Sequence, residues 1–224
     1  MAARWPSVAA RRARSEAAYR ADPLRSLRPP SLLSRWAIMR LGRIGRPAHV
    51  LELGCGSGRD SRALASAGHA VLAIDFAPRA IALAREATPK GLPIAYRTGE
   101  ALGTLEATPT GSVDAVFANL FYMSQPDRAV DRILGEVRRV LAPGGVHLFA
   151  VRSVSDPHAR RGRPFGPDVR IGRPHAGPYR YYRRATLDAM TRRGFVRERA
   201  ELTRSRHLWR VCDRRADVPL RPPP

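Results

Sequence analysis

Residues 50–61 read VLELGCGSGRDS. A short apolar run carries an acid, Glu52, then meets three glycines at alternate positions, Gly54, Gly56 and Gly58, and ends in what reads as the start of a helix. Backbone without Cβ atoms can pass close to a ligand, and the free N–H groups of a helix start attract a carboxylate or a phosphate. A phosphate loop would need G-x-x-x-x-G-K-S/T, and no lysine stands nearby. The dinucleotide fingerprint G-x-G-x-x-G fails in both registers, because its third glycine falls on Arg59 or on Ser61. Glu52 inside the pattern suits a cationic ligand better than a pyrophosphate. Asp75 ends a second apolar run, AVLAID, where an acid can accept hydrogen bonds from two ribose hydroxyls or cap the helix that follows. Cys55 reads as a small filler between glycines, and Asp60 as a residue suited to a helix N-terminus.

Alternating strand and helix signals position these residues. Strands are expected at 49–54, 70–75, 93–99, 113–119 and 146–151, and helices at 58–68, 78–88 and 126–142. In the last helix Ala129, Ile133, Val137, Val140 and Leu141 share one face. Such alternation implies a parallel sheet covered by helices on both sides. The end of the chain differs. A helix at 183–194 precedes strands at 195–203 and 207–215, whose three-residue connection requires antiparallel pairing. The expected fold is therefore α/β, Rossmann-like and doubly wound, with a mostly parallel seven-stranded sheet and a C-terminal antiparallel hairpin. Residues 1–30 read as a basic extension, partly helical around RRARSEAAYR, 31–215 as the domain, 154–180 as a long lid-like loop, and 216–224 as a tail.

The segment E-x-G-C-G-x-G closely resembles motif I of the class I S-adenosylmethionine-dependent methyltransferases. AIDFAPRAIALAR resembles the second motif of that family, GEAL the third, and VRRVLAPGG the segment before its fifth strand. The resemblance covers roughly residues 45–215, and it is similar in size and lid loop to small-molecule enzymes of the tellurite-resistance and thiopurine type. It implies S-adenosyl-L-methionine as cofactor, at the carboxyl ends of the strands where strands one and four diverge. By the same resemblance, Gly54, Cys55, Gly56 and Gly58 line the cofactor's amino-acid end, with Glu52 and Asn119 near its sulfonium. Asp75 would sit at the ribose, Glu100 and Ala101 at the adenine edge, and Phe76 and Leu120 among the cofactor-binding residues.

Methyl transfer is an in-line displacement, in which alignment of nucleophile, methyl and sulfur supplies most of what a protein can give. A general base would add roughly 10²–10⁴-fold. His158, Tyr122 and Tyr182 are the leading candidates, followed by Asp156 and His175. The asparagine of ANLFY lacks the prolines of the N-P-P-F/Y amino-methylases. No Cys/His cluster or H-E-x-x-H points to a metal. The expected partner is a small-molecule acceptor, anionic or aromatic. An RNA methyltransferase and a protein that binds the cofactor without methylating stay open as alternatives, and a nicotinamide oxidoreductase is disfavoured by the glycine spacing.

Charge bears on that choice. The net charge is +21, and Lys90 is the sole lysine among 40 basic residues. Residues 49–150 are neutral, with ten residues of each sign. Residues 1–48 carry eleven arginines against two acids, and 151–224 nineteen against seven. Basic flanks around a neutral middle suit an anionic partner, or reflect a composition drift toward arginine. Arg160, Arg161, Arg163 and Arg180 are expected to meet an anionic acceptor, and Arg11, Arg12 and Arg14 to matter little. No apolar run has the ~20 residues of a membrane span, no apolar stretch follows the N-terminal charges as in a secretory signal, and the two cysteines fit no ligand spacing. A cytoplasmic monomer or homodimer is expected.

Overall fold

The computed structural model describes residues 4–171, 177–203 and 207–216. The buried apolar runs form five strands, β1 (His49–Leu53), β2 (Ala70–Asp75), β3 (Ile94–Thr98), β4 (Val113–Asn119) and β5 (Leu141–Arg152). Three short strands follow, β6 (Arg163–Gly166), β7 (Val169–Ile171) and β8 (Pro178–Arg180), and then β9 (Phe195–Thr203) and β10 (Leu208–Arg215). The main sheet runs β3-β2-β1-β4-β5-β10-β9, parallel from β3 to β5. β10 pairs antiparallel with both β5 and β9, as the tight connection requires. β5 begins earlier than residue 146, because Leu141 already pairs with Val113 before the glycine bend at 144–145.

Helices cover both faces. On one side α2 (Leu32–Leu41), α3 (Arg59–Ser66) and α4 (Pro78–Glu86) bury Leu33, Leu41, Leu64 and Ile81 against Val50, Val71 and Phe117. On the other, α5 (Ala101–Glu106) and α6 (Asp127–Val140) pack Leu105, Ile133, Leu134 and Val137 against Leu51, Leu53 and Val116. Local chemistry explains the starts: the Ser31 hydroxyl accepts from Ser34 N at 3.2 Å to cap α2, and Pro78 opens α4. α2 and α5 had no clear sequence signal. No helix among the described residues is long and apolar enough to cross a membrane.

Two segments outside this frame cover the carboxyl edge of the sheet. α1 (Val8–Ala21) starts at Ser7, whose hydroxyl accepts from Ala10 N at 3.2 Å. Residues 154–180, expected as a loop, contain α7 (His158–Arg161) and the antiparallel β6-β7-β8 sheet. Glycine and proline concealed these strands, whose ends are tied by Asp168. Its carbonyl accepts from Tyr181 N at 2.8 Å, and its carboxylate receives Arg183 through two bonds of 2.7 and 2.8 Å. α8 (Arg184–Thr191) then leads into β9. His175 and the tail residues 217–224 lie outside the described residues.

Candidate cofactor and acceptor site

Between β1 and α3 the chain turns on three left-handed glycines, with φ of 71°, 57° and 76° at Gly54, Gly56 and Gly58. The loop is held from β2. Cys55 N donates to the Ile74 carbonyl at 2.8 Å, and Gly56 N donates to Asp75 Oδ2 at 3.0 Å. The other oxygen of Asp75 accepts from Ala77 N at 2.9 Å. Asp75 thus holds the turn leading into α4, whose N-cap is Ala77, and pins the glycine loop at once, a contact its place in the sequence did not announce. A carboxylate oxygen accepts two bonds, so each oxygen keeps a lone pair for a ligand hydroxyl. Burial raises the Asp75 carboxyl to about 6. Phe76 is half-buried directly after it.

Beneath the loop sits an acidic pair. Glu52 is buried, and burial, with Asp60 adding to it, raises its carboxyl to about 8. Ser61 Oγ donates to Glu52 Oε2 at 2.5 Å. Asp60 does more than begin a helix: Oδ1 accepts from Ser31 N at 2.6 Å and Oδ2 from Asn119 Nδ2 at 3.0 Å. It joins the start of α2 to the end of β4. A cation beside the loop would favour the ionised form of Glu52, and Arg59 Nε already stands 3.7 Å from Asp60 Oδ2. Leu120 adopts φ of 59°, uncommon for a branched side chain, and its N–H donates to the Ala150 carbonyl at 2.8 Å. That turn brings Phe121 over Gly54, where a Cβ would lie 2.9 Å from Phe121 Cδ2.

α1 crosses above this floor. The Tyr19 hydroxyl packs directly on Gly56, in the place a side chain would occupy. Glu16 Oε1 accepts from Arg79 N at 2.8 Å, satisfying a free N–H in the first turn of α4. Arg12 pairs with Glu100 at 3.5 Å, while Glu100 and Ala101 stand at the start of α5. Arg11 Nη1 donates to the Ser124 carbonyl at 3.1 Å and to Gln125 Oε1 at 2.7 Å. Trp5 meets Phe165 edge-on at 5.8 Å. The N-terminal segment is therefore a roof over the site, a role no local pattern announced; only the half-buried spacing of Arg11, Arg14, Ser15 and Tyr19 along one helix face hints at it.

The proton-accepting candidates divide. Tyr122 and Tyr182 do not fill the expected role, because both are core residues without exposed surface. The Tyr122 hydroxyl shares a 2.9 Å hydrogen bond with His147 Nε2, and Tyr182 donates to the Tyr122 carbonyl at 3.1 Å. Burial holds both phenols well above their ordinary range. His158 is exposed on α7, and its backbone N–H donates to Asp156 Oδ1 at 2.8 Å. Asp156 is buried and engaged by Arg152 at 2.5 Å. Among the four arginines expected near the acceptor, Arg180 is taken up by Asp127 at 2.6 Å, and Arg160 and Arg163 are exposed.

Residues 50–145 match a family described as a methyltransferase domain. The ubiquinone biosynthesis O-methyltransferase of Xanthomonas oryzae pv. oryzae is 36% identical over 124 residues, 55% of this chain and 49% of that protein. The malonyl-(acyl-carrier protein) O-methyltransferase of Pectobacterium atrosepticum is 38% identical over 110 residues, 46% of this chain and 40% of that one. The chain spans about half the length of the curated relatives it matches. Among solved structures, the 1,6-didemethyltoxoflavin-N1-methyltransferase of Burkholderia thailandensis, bound to 1,6-didemethyltoxoflavin and S-adenosylhomocysteine, superposes with a TM-score of 0.70. The match covers 97% of this chain and 94% of that one at 22% identity. An S-adenosylmethionine-dependent methyltransferase of Methanosarcina mazei gives a TM-score of 0.65 over 76% of this chain and 93% of its own, at 23% identity. At such identities the likeness speaks for the fold. Residues 50–145 thus match a methyltransferase domain across the glycine loop, set in a fold like that of S-adenosylmethionine-dependent methyltransferases.

Proposed function

We propose that this chain methylates a small-molecule acceptor, through an oxygen nucleophile, in the space between the glycine loop, the turn after β4 and the roof. The observation that carries this reading is the double use of Asp75. It rigidifies the loop through Gly56 and still offers both oxygens to a diol. The loop and helix start suit a carboxylate, Glu52 and Asp60 suit a cation, and the space beside Phe76, Glu100 and Ala101 suits a flat ring. The donor set fits S-adenosylmethionine, which when bound supplies a methyl group on a positively charged sulfur. The protein's part is to align an acceptor against that position and to exclude water beneath α1. Of the three side chains first considered as proton acceptor, His158 alone has surface to offer. The oxygen nucleophile is supported by the names of the relatives, ubiquinone and malonyl-carrier O-methyltransferases. A cytoplasmic setting goes with it, since both cysteines are buried free thiols.

The charge distribution supports a small acceptor over RNA. Many flank arginines are consumed internally: Arg40 grips Glu198 through bonds of 2.7 and 2.9 Å, Arg197 holds Asp213 at 2.5 Å, and Arg199 and Arg210 sandwich the Trp36 ring at 4.2 and 4.5 Å. The test is calorimetry with S-adenosylhomocysteine, followed by transfer from methyl-labelled S-adenosylmethionine to phenols and carboxylic acids. Absence of cofactor binding, or label passing to RNA and to no small acceptor, overturns the reading.

A further inference from the structure

The roof carries two arginines that form no ion pair among the described residues. Arg12, on one side of α1, has Glu100. Arg11 and Arg14, one turn apart, are both half-buried, and among the described residues no carboxylate lies within ion-pair distance of either. The adjoining stretch 172–176 contains no acid. Arg11 Nε is buried without a hydrogen-bond partner, and its Nη1 is held only by the neutral groups of Ser124 and Gln125. Burial lowers the Arg11 pKa, and Glu100 at longer range offsets this only in part, so an anion at the guanidinium would relieve the remaining cost.

Arg14 has been given room. A Cβ on Gly177 would lie 2.6 Å from Arg14 Nη1, yet Gly177 has no left-handed φ that would demand glycine. The absent side chain at Gly177 therefore serves the guanidinium. Arg11 reaches the turn after β4, at Ser124 and Gln125, and Arg14 reaches Gly177 at the entry to β8, two segments that lie against each other. The Trp5–Phe165 edge pair stands at the same end of α1 and adds an aromatic surface.

Resting on the methyltransferase reading, we propose that Arg11 and Arg14 are the specificity determinants of the acceptor site, and that they take an aromatic or conjugated acceptor bearing an oxyanion, a carboxylate or a phosphate. A guanidinium pairs with either through charge-assisted bonds.

The test uses the full chain saturated with S-adenosylhomocysteine. Calorimetry compares protocatechuate, benzoate and phenyl phosphate with the uncharged catechol and benzamide, on wild type, Arg11→Gln, Arg14→Gln, Gly177→Ala and, as a control, Arg160→Gln. The expected result is a preference for acids over uncharged counterparts of roughly tenfold or more in wild type and in the control. In Arg11→Gln and Arg14→Gln that preference falls toward unity, and in Gly177→Ala, which shifts only the flexible Arg14 head, it falls by a smaller factor, while S-adenosylhomocysteine affinity stays unchanged in all three. Gly177→Ala leaves every arginine in place and displaces only the Arg14 head, which separates lost recognition from a lost fold. The carboxylate and phosphate arms show which oxyanion fits. Wild type without acid preference, or preference surviving in all three variants, overturns the proposal, as does a tRNA transcript bound more tightly than every small acid. Failure to bind S-adenosylhomocysteine is a different result, and it takes down the cofactor reading together with this one.

Discussion

The floor of the site and its roof are fastened in different ways. The floor, β1 to β4 with their loops, is held by backbone hydrogen bonds and buried apolar side chains, and its strategic polar groups, Glu52, Asp60 and Asp75, are all buried. The roof is held by long side chains reaching down: Glu16 to Arg79, Arg12 to Glu100, Arg11 to Gln125, Tyr19 to Gly56. α1 contains no fully buried residue. Exposed ion pairs are worth about 0–1 kcal/mol each, whereas a buried side chain or pinned loop is worth several times that. The comparison teaches that the floor is rigid and the roof lightly fastened, which on the function proposed above leaves the roof free to specialise for an acceptor while the floor holds the cofactor.

The harshest way to break this comparison is Gly56→Val. A β-branched residue at φ of 57° is strained by about 1–3 kcal/mol, and its side chain takes the place of the Tyr19 hydroxyl. Cofactor affinity is expected to fall by about a hundredfold or more, read by calorimetry. Gly135→Ala, in the exposed middle of α6 with open space around it, is the contrasting glycine and should gain about 0.5–1 kcal/mol of stability.

The next effect is pH-dependent and belongs to the floor. Folding raises the Glu52 carboxyl from 4.5 to about 8 and the Asp75 carboxyl from 3.8 to about 6. Raised acids favour the folded state while protonated, so the unliganded protein should lose stability as pH rises from about 4.5 to about 8. A bound diol and cation favour the ionised forms, so cofactor affinity should rise over the same window. Melting temperatures with and without S-adenosylhomocysteine should therefore diverge as pH rises; parallel curves would sever these acids from the ligand.

Tyr122→Phe sharpens the division within the core. It removes the hydroxyl bonded to His147 and should cost about 1–2 kcal/mol in denaturant unfolding, with cofactor affinity unchanged. The smallest effect is expected for Arg12→Ala, where loss of an exposed pair to Glu100 should change stability by no more than about 0.5 kcal/mol.

What could be read from the chain follows the same line. The glycine loop, the acid Asp75 at the end of β2 and the terminal hairpin were legible because each depends on residues close in sequence: a turn needing left-handed glycine, an acid closing an apolar run, a three-residue connection between two strands. The roof was not, because Tyr19 acquires its partner 37 positions away on Gly56, and Arg11 its partner 114 positions away on Gln125. Tyr122 and Tyr182 misled because an aromatic cluster after a strand looks alike whether it lines a pocket or fills a core. Arg180 looked available until Asp127 was found beside it. The sheet β6-β7-β8 escaped notice because strands of three or four residues carry too little alternation to stand out.

Glu16 holds the backbone of α4 from above, and Tyr19 rests on the very glycine that faces the ligand. On the function proposed above, release of a bound cofactor is expected to follow the lifting of this one helix and not the melting of the sheet below. A variant that fastens α1 more firmly is then expected to slow release of S-adenosylhomocysteine, read by competition kinetics, while leaving the thermal midpoint nearly where it was.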